Sequence, residues 1–314
     1  NILQNTKNNL KNSLKKTSFP EKSSSEEQSP NVSLDKFHWT DSISINACNN
    51  TIESFETLPT PKSYYDSLDS SSVSNIAHEK LLEALEKDRN PLPTTEDREG
   101  YHDNRHFEYW VSGLEDYLSI RECMHNWLPD IGPNFRMLDL GCASGRVLRH
   151  FACLERDAEI WGTDLNGRHV EWIRRYLPGH IKVFQNTTSP GLPLENNSLD
   201  IICAFSVFTH IDEFEFNWLA ELRRILSPGG IAYITVLTEN AWQGLHASNP
   251  NHVYYKHLAQ SVQNLRDNLE GLTFTEDMFI NPPPQPKIVF RWPTSNVYGT
   301  LVFHTMDYIR ENWS

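Results

Sequence analysis

Between Gly141 and Gly145 the chain reads Gly-Cys-Ala-Ser-Gly, a loop of small residues placed directly after an apolar run that carries Asp139. Without bulky side chains such a loop lets backbone approach a ligand closely, and the helix N-terminus that follows offers N–H groups to an anion. A second carboxylate, Asp164, ends the next apolar run about twenty residues later, where it can accept hydrogen bonds from both hydroxyls of a ribose. A dinucleotide fingerprint asks for G-x-G-x-x-G, but here the glycines run G-x-A-x-G and Arg146 stands where the last glycine belongs. A pyrophosphate is therefore poorly accommodated. Other candidates for chemistry are histidines. His210, in SVFTHIDE, follows an apolar run on the same edge and suits a general base. His102 and His106 have helical i, i+4 spacing, but no glutamate follows the first as H-E-x-x-H requires, so no metal is expected.

The elements that must hold these residues alternate strand and helix. FRMLDL reads as a buried strand, followed by a helix with Val147, Leu148 and Phe151 on one face. EIWGTD and the helix NGRHVEWIRRYL come next, with Asn166 as the cap. HIKVF and LDIICAFSVF are the third and fourth strands. DEFEFNWLAELRRIL is a helix with Trp218, Leu219, Leu222, Ile225 and Leu226 inward, and SPGG turns it into a fifth strand, IAYITVL. Continuously apolar strands separated by single helices predict a parallel sheet with helices on both faces. In such a sheet ligands sit at the carboxyl ends of the strands, where the glycine loop, Asp164 and His210 all fall.

Ahead of this core two helical patterns are expected. IAHEKLLEALEKD places Ala77, Leu81, Leu82 and Leu85 together, and RHFEYWVSGLEDYLSIRECMHNW carries a stripe from Phe107 through Trp110, Val111, Leu114 and Leu118, continued by Tyr117, Ile120, Met124 and Trp127. Gly113 inside the second run marks either a break or a close packing contact. Residues 1–75, rich in Asn, Ser and Lys, read as a flexible or extended tail or linker. Residues 76–130 read as a helical cap, 131–240 as the core, and 241–314 as a substrate-facing insertion and C-terminal helix.

The 314 residues carry a formal net charge of −13, which argues against a nucleic-acid partner. No run is apolar and long enough to span a membrane. Five cysteines (Cys48, Cys123, Cys142, Cys153, Cys203) lack paired spacing, which fits a reducing, cytoplasmic setting. The sequons at Asn31 and Asn186 are read as chance. A first residue of Asn rather than Met suggests a piece of a longer protein with flanking domains.

MLDLGCASGRVLRHF, GTDLN and LRRILSPGGIAYITV together resemble the motifs of class I S-adenosylmethionine-dependent methyltransferases, over roughly Asn134 to Thr238. GRVLRHF, SVFTHIDE and FHTMDYIRENW further resemble a bacterial subgroup associated with glycan or natural-product modification. The resemblance implies a Rossmann-like doubly wound α/β sheet and S-adenosylmethionine as cofactor. Its methionine end would lie beside Gly141, Cys142, Ala143 and Gly145, with Asp139 ordering the loop. Asp164 would hold the ribose and Leu165 would lie against the adenine. Asn186, with Thr187, replaces the acidic residue usual near the adenine amine. Phe205 and Ser206 would face the methyl, and Ser112 and Gly113 would close over the methionine end. His252, Tyr254, Tyr255, Tyr298 and His304 are candidates for the acceptor pocket, while Asp212 and Glu213 are read as helix-start residues.

The family sheet ends in an antiparallel hairpin, and the HTMDYIRENW helix should precede it. Either KIVFRW and YGTLVF supply those strands or the hairpin is lacking. The expected activity is O-methylation of a small molecule or glycan, with N-methylation second. A non-catalytic module of a multidomain enzyme and a nucleotide-binding enzyme on a similar sheet are the alternatives.

Overall fold

A computed structural model describes residues 55–67, 76–252, 256, 259, 275–291 and 299–313. Five parallel strands form the main sheet: β3 (Arg136–Leu140), β4 (Glu159–Asp164), β5 (Lys182–Gln185), β6 (Leu199–Ala204) and β7 (Leu226–Ile234). Their order is β5-β4-β3-β6-β7. The chain thus moves outward from β3 to β5, then crosses back to build β6 and β7 on the other side. Strand order reverses between β3 and β6, whose carboxyl ends open the ligand crevice of a doubly wound sheet. The connecting helices are α4 (Leu148–Leu154), α5 (Gly167–Tyr176) and α6 (Glu215–Ile225). Asn166 caps α5, its Oδ1 accepting from the Arg168 N–H at 3.0 Å. SPGG forms the irregular start of β7: Leu226 faces Leu199, and pairing resumes at Ile231 opposite Ile201.

The cap comprises β1 (Thr57–Leu58), α1 (Pro61–Tyr65), α2 (His78–Lys87), β2 (Leu92–Pro93) and α3 (His106–Trp127). Within the segment expected as tail, β1 pairs with β2 and Phe55 packs edge-on against Tyr176 at 6.0 Å. On α2 the buried residues are Leu81, Ala84 and Leu85, whereas Leu82 points outward. The α3 stripe is buried through Met124 except for half-buried Leu118, but Trp127 at its end is 74% exposed. No described helix is long and apolar enough to cross a membrane.

KIVFR and TLVFH form the strands β8 (Lys287–Arg291) and β9 (Thr300–His304), an antiparallel pair with Val289 opposite Val302. The insertion therefore forms a hairpin of its own, a separate two-stranded sheet that meets the chain after β7 at a Leu237–Phe303 bridge. The terminal helix α7 (Met306–Asn312) follows that hairpin, reversing the expected order. Buried Glu215, the first residue of α6, fastens the unit: it accepts from Lys287 Nζ at 2.5 Å and Trp313 Nε1 at 2.7 Å, and pairs with His304 Nε2 at 3.2 Å. Just before α6, Asp212 pairs with Lys287 at 2.9 Å and also contacts Arg291, and Glu213 approaches Arg291 at 4.0 Å.

Burial alone would raise the Glu215 pKa, but hydrogen bonds from His304, Lys287 and Trp313 outweigh it and hold it at about 2. A depressed carboxylate pKa stabilises the fold above its unfolded value near 4.5 and loses that contribution as pH falls toward 2. Glu215→Gln is expected to lower stability at neutral pH by about 2–3 kcal/mol. Thermal unfolding followed from pH 7 to pH 2 checks this: the two proteins converge on acidification.

Candidate functional site

The loop after β3 lies at the switch point, and the N–H groups of Gly141, Cys142, Ala143 and Gly145 are already engaged. The N–H groups of Gly141 and Cys142 donate to the Thr163 carbonyl at 2.8 and 3.0 Å, and that of Gly145 to the Cys142 carbonyl at 2.8 Å. Ala143, with a left-handed φ of 44°, donates its N–H to Asp164 Oδ2 at 2.8 Å. The loop is therefore not a cradle of free N–H groups for an anion, and the phosphate reading loses its physical basis. Nor are its glycines chiefly there to admit a ligand. A Cβ on Gly141 would lie 2.5 Å from Val207 Cγ2, and one on Gly145 2.5 Å from Leu177 Cδ1, and both residues have positive φ. Cys142 is buried with its Sγ toward Gly162, so it offers the crevice neither thiol nor N–H.

Asp139 and Asp164 differ in surroundings. Asp139 is 3% exposed and accepts from the Cys203 thiol at 3.4 Å. Burial pushes its pKa up to about 7 against the opposing pull of the thiol and the Arg146 charge. Asp164 accepts at both oxygens, Oδ1 from the Asn166 N–H and Oδ2 from the Ala143 N–H, each at 2.8 Å. A carboxylate oxygen can accept more than one bond, so hydroxyl donors can still be received.

At the end of β5, the Asn186 N–H donates to the Asp164 carbonyl, and Asn186 Oδ1 is a buried acceptor with no hydrogen-bond partner. An orphaned acceptor beside the second and third strand ends suits an amino group such as that of adenine. Leu165 beside it is half-buried and Thr187 is exposed. These observations fit an adenosine-containing cofactor.

Across the switch point, Phe205 and Ser206 end β6, and Ser206 has a left-handed φ of 56°. The Phe205 ring packs tilted against Tyr233 at 5.4 Å, and the Arg146 guanidinium lies 5.7 Å from it and 5.4 Å from Tyr101. Arg146 is tied to Asp116 at 2.6 Å and donates to Ser112 Oγ at 3.3 Å. Helix α3 runs unbroken through Gly113, where a Cβ would lie 2.1 Å from the Arg146 carbonyl oxygen. The glycine is thus a packing contact between cap and loop. The sequence reading did not assign Arg146 or Tyr101 to the site, since nothing local brings Tyr101 there.

His210 has Nδ1 at 2.6 Å from the Thr300 carbonyl. A carbonyl only accepts, so Nδ1 carries the proton and Nε2 the lone pair. Burial lowers its pKa, favouring the neutral ring. The acceptor-pocket candidates separate. His252 is half-buried with Nδ1 bonded to the Gly244 carbonyl at 2.9 Å. His304 is fully buried on Glu215, because its place on β9 turns it into the hairpin interface. Tyr254, Tyr255 and Tyr298 lie outside the described residues. His102 sits in a loop with φ 62°, outside α3, so His102 and His106 do not share a helix face.

Residues 138–234 match the family model of a methyltransferase domain. No curated protein matches the chain. Solved structures with similar folds include a protein from Methanococcus maripaludis provisionally described as an S-adenosyl-L-methionine-dependent methyltransferase (17% identity, 54% of this chain and 84% of that one, TM-score 0.37). Others are the YcgJ protein from Bacillus subtilis (19%, 48% and 68%, 0.33) and an S-adenosylmethionine-dependent methyltransferase from Mesorhizobium loti (21%, 39% and 55%, 0.32). The fold itself rests on the strand order above rather than on these neighbours. The match spans the sheet from β3 through β7 and indicates a methyltransferase domain that uses S-adenosylmethionine.

Proposed function

We propose that the chain methylates a hydroxyl of a small molecule or glycan, with His210 as the base. The observation that carries this reading is the His210–Thr300 bond, which fixes the proton on Nδ1 of a histidine placed just after β6. Asp164 receives the cofactor ribose, Leu165 flanks the adenine and Asn186 Oδ1 accepts from its amino group, with Thr187 at the rim. Asp139, Gly141, Ala143 and Gly145 border the methionine end, closed by Ser112 and Gly113 of α3. Phe205 and Ser206 border the methyl side, and His252 with Tyr254, Tyr255 and Tyr298 contributes to acceptor binding. The resemblance to the bacterial glycan and natural-product subgroup supports the acceptor class.

S-adenosylmethionine supplies an electrophilic methyl group and leaves as a neutral thioether, so the protein chiefly aligns and desolvates the reactants. His210 takes the proton of the acceptor hydroxyl at Nε2, and the Thr300 carbonyl stabilises the resulting imidazolium at Nδ1. General-base removal typically costs about 10²–10⁴-fold in rate. Isothermal titration with S-adenosylmethionine, followed by turnover of His210→Ala on sugars and phenols, tests the proposal. Binding by both proteins with turnover lost in the variant is expected. Unchanged turnover rules out the base, and absent binding by the wild type rules out the enzyme reading.

A further inference from the structure

His169 is a buried histidine that the methyl-transfer reading leaves without a task. It lies on the first turn of α5, 2% exposed, between two carboxylates from different parts of the fold. Its Nδ1 is 3.4 Å from Asp164 Oδ1, an ion-pair approach rather than an aligned hydrogen bond. Its Nε2 is 3.7 Å from Glu99 Oε1. The same Glu99 oxygen accepts from Asn166 Nδ2 at 3.1 Å.

Glu99 begins a strap, Glu99–Arg105, that crosses from the β4 end of the crevice to the β3 end. At its far side the Tyr101 ring lies over the Arg146 guanidinium. Glu99, His102 and Asp103 all have left-handed φ, at 54°, 62° and 43°. Such residues cost about 1–3 kcal/mol each and persist only where surrounding contacts fix them. Arg98 holds Asp103 from below through its carbonyl, and the Glu99 contacts hold the near end.

Resting on the reading that Asp164 receives the cofactor ribose, we propose that His169 is a positioning residue whose imidazole bridges Asp164 to Glu99, fixing the ribose-accepting carboxylate and the strap in one arrangement. The groups facing it are Asp164 at the end of β4, Glu99 on the strap and Asp97 before it. Arg168 stands beside it on α5 but is committed to Asp97 at 2.6 Å. Burial opposes the charged ring, yet the carboxylates of Asp164, Glu99 and Asp97 outweigh it and raise the pKa above 6.5. Strap closure is therefore strongest with the imidazole protonated, and weakens as pH rises through that raised value. Loss of a charge-assisted contact of this kind weakens binding by about tenfold.

Calorimetric titration of S-adenosylhomocysteine into the wild type, Glu99→Gln and His169→Gln, between about pH 6 and 9, tests this. The wild type is expected to bind most tightly at the acid end. Both variants are expected to bind about tenfold weaker there and to converge with the wild type as pH rises. Circular dichroism reports whether His169→Gln folds; if it does not, Glu99→Gln on the exposed strap decides alone. Wild-type affinity and pH profile in Glu99→Gln overturn the bridge. A wild type that binds no S-adenosylhomocysteine at any pH instead overturns the cofactor reading, and the proposal with it.

Discussion

Asp88→Asn is expected to lower the unfolding free energy by about 3–5 kcal/mol, and Tm by about 10 °C. Arg149 is fully buried on α4, and its Nε donates to Asp88 Oδ2 at 2.6 Å and its Nη2 to Asp88 Oδ1 at 3.2 Å. The same Nη2 donates to the carbonyls of Asn90 and Pro91 at 3.0 and 3.1 Å, and Trp110 Nε1 donates to Asp88 Oδ2 at 2.8 Å. Burial alone would raise the Asp88 pKa, but Arg149 outweighs it and holds it at about 2.

Asparagine keeps the shape and an acceptor for Trp110 but strands the guanidinium charge in the interior. That stranded charge is the main cost, because a buried ion without its partner loses solvation with no return. Asp88→Asn combined with Arg149→Met removes the charge as well, and is expected to recover at least half of the loss. Urea denaturation of the wild type, the single variant and the double variant checks both statements. Additive losses in the double variant would show that the pair is not coupled.

Gly113→Ala is expected to destabilise the protein by about 2 kcal/mol, although alanine favours a helix interior by about 1 kcal/mol over glycine. The opposing effect wins because the new Cβ would sit 2.1 Å from the Arg146 carbonyl oxygen. A backbone atom cannot rotate away as a side-chain tip can, so α3 or the 141–146 loop must move. Since Arg146 directly follows that loop, S-adenosylmethionine affinity should fall by at least about tenfold. Gly132→Ala, where nothing lies within 4 Å, is the control and should leave both quantities near the wild-type values. Chemical denaturation and calorimetric titration on the three proteins provide the comparison.

These two variants mark the border between what the chain spells out locally and what folding adds. The alternation of apolar runs and helical stripes specified a parallel α/β sheet, and it placed the 141–145 loop, Asp164, Asn186 and Phe205 at strand ends, because strand and helix periods are local properties of the sequence. Gly113 was legible as an anomaly in a helical stripe, though not as a contact with Arg146. Asp88 and Arg149 are 61 residues apart, and Glu215 and His304 are 89 apart. No spacing rule links such pairs.

The tertiary structure also changed roles that looked settled. Residue type suggested that the loop glycines open space for a ligand, whereas packing shows that Val207 and Leu177 occupy that space. His304 looked available for an acceptor and is instead sealed against Glu215. Sequence by itself determined which elements form and which ends of them can carry chemistry, since that follows from periodicity. Only the fold decided which polar groups are partnered, because a side chain's partners are fixed by where distant segments come to rest.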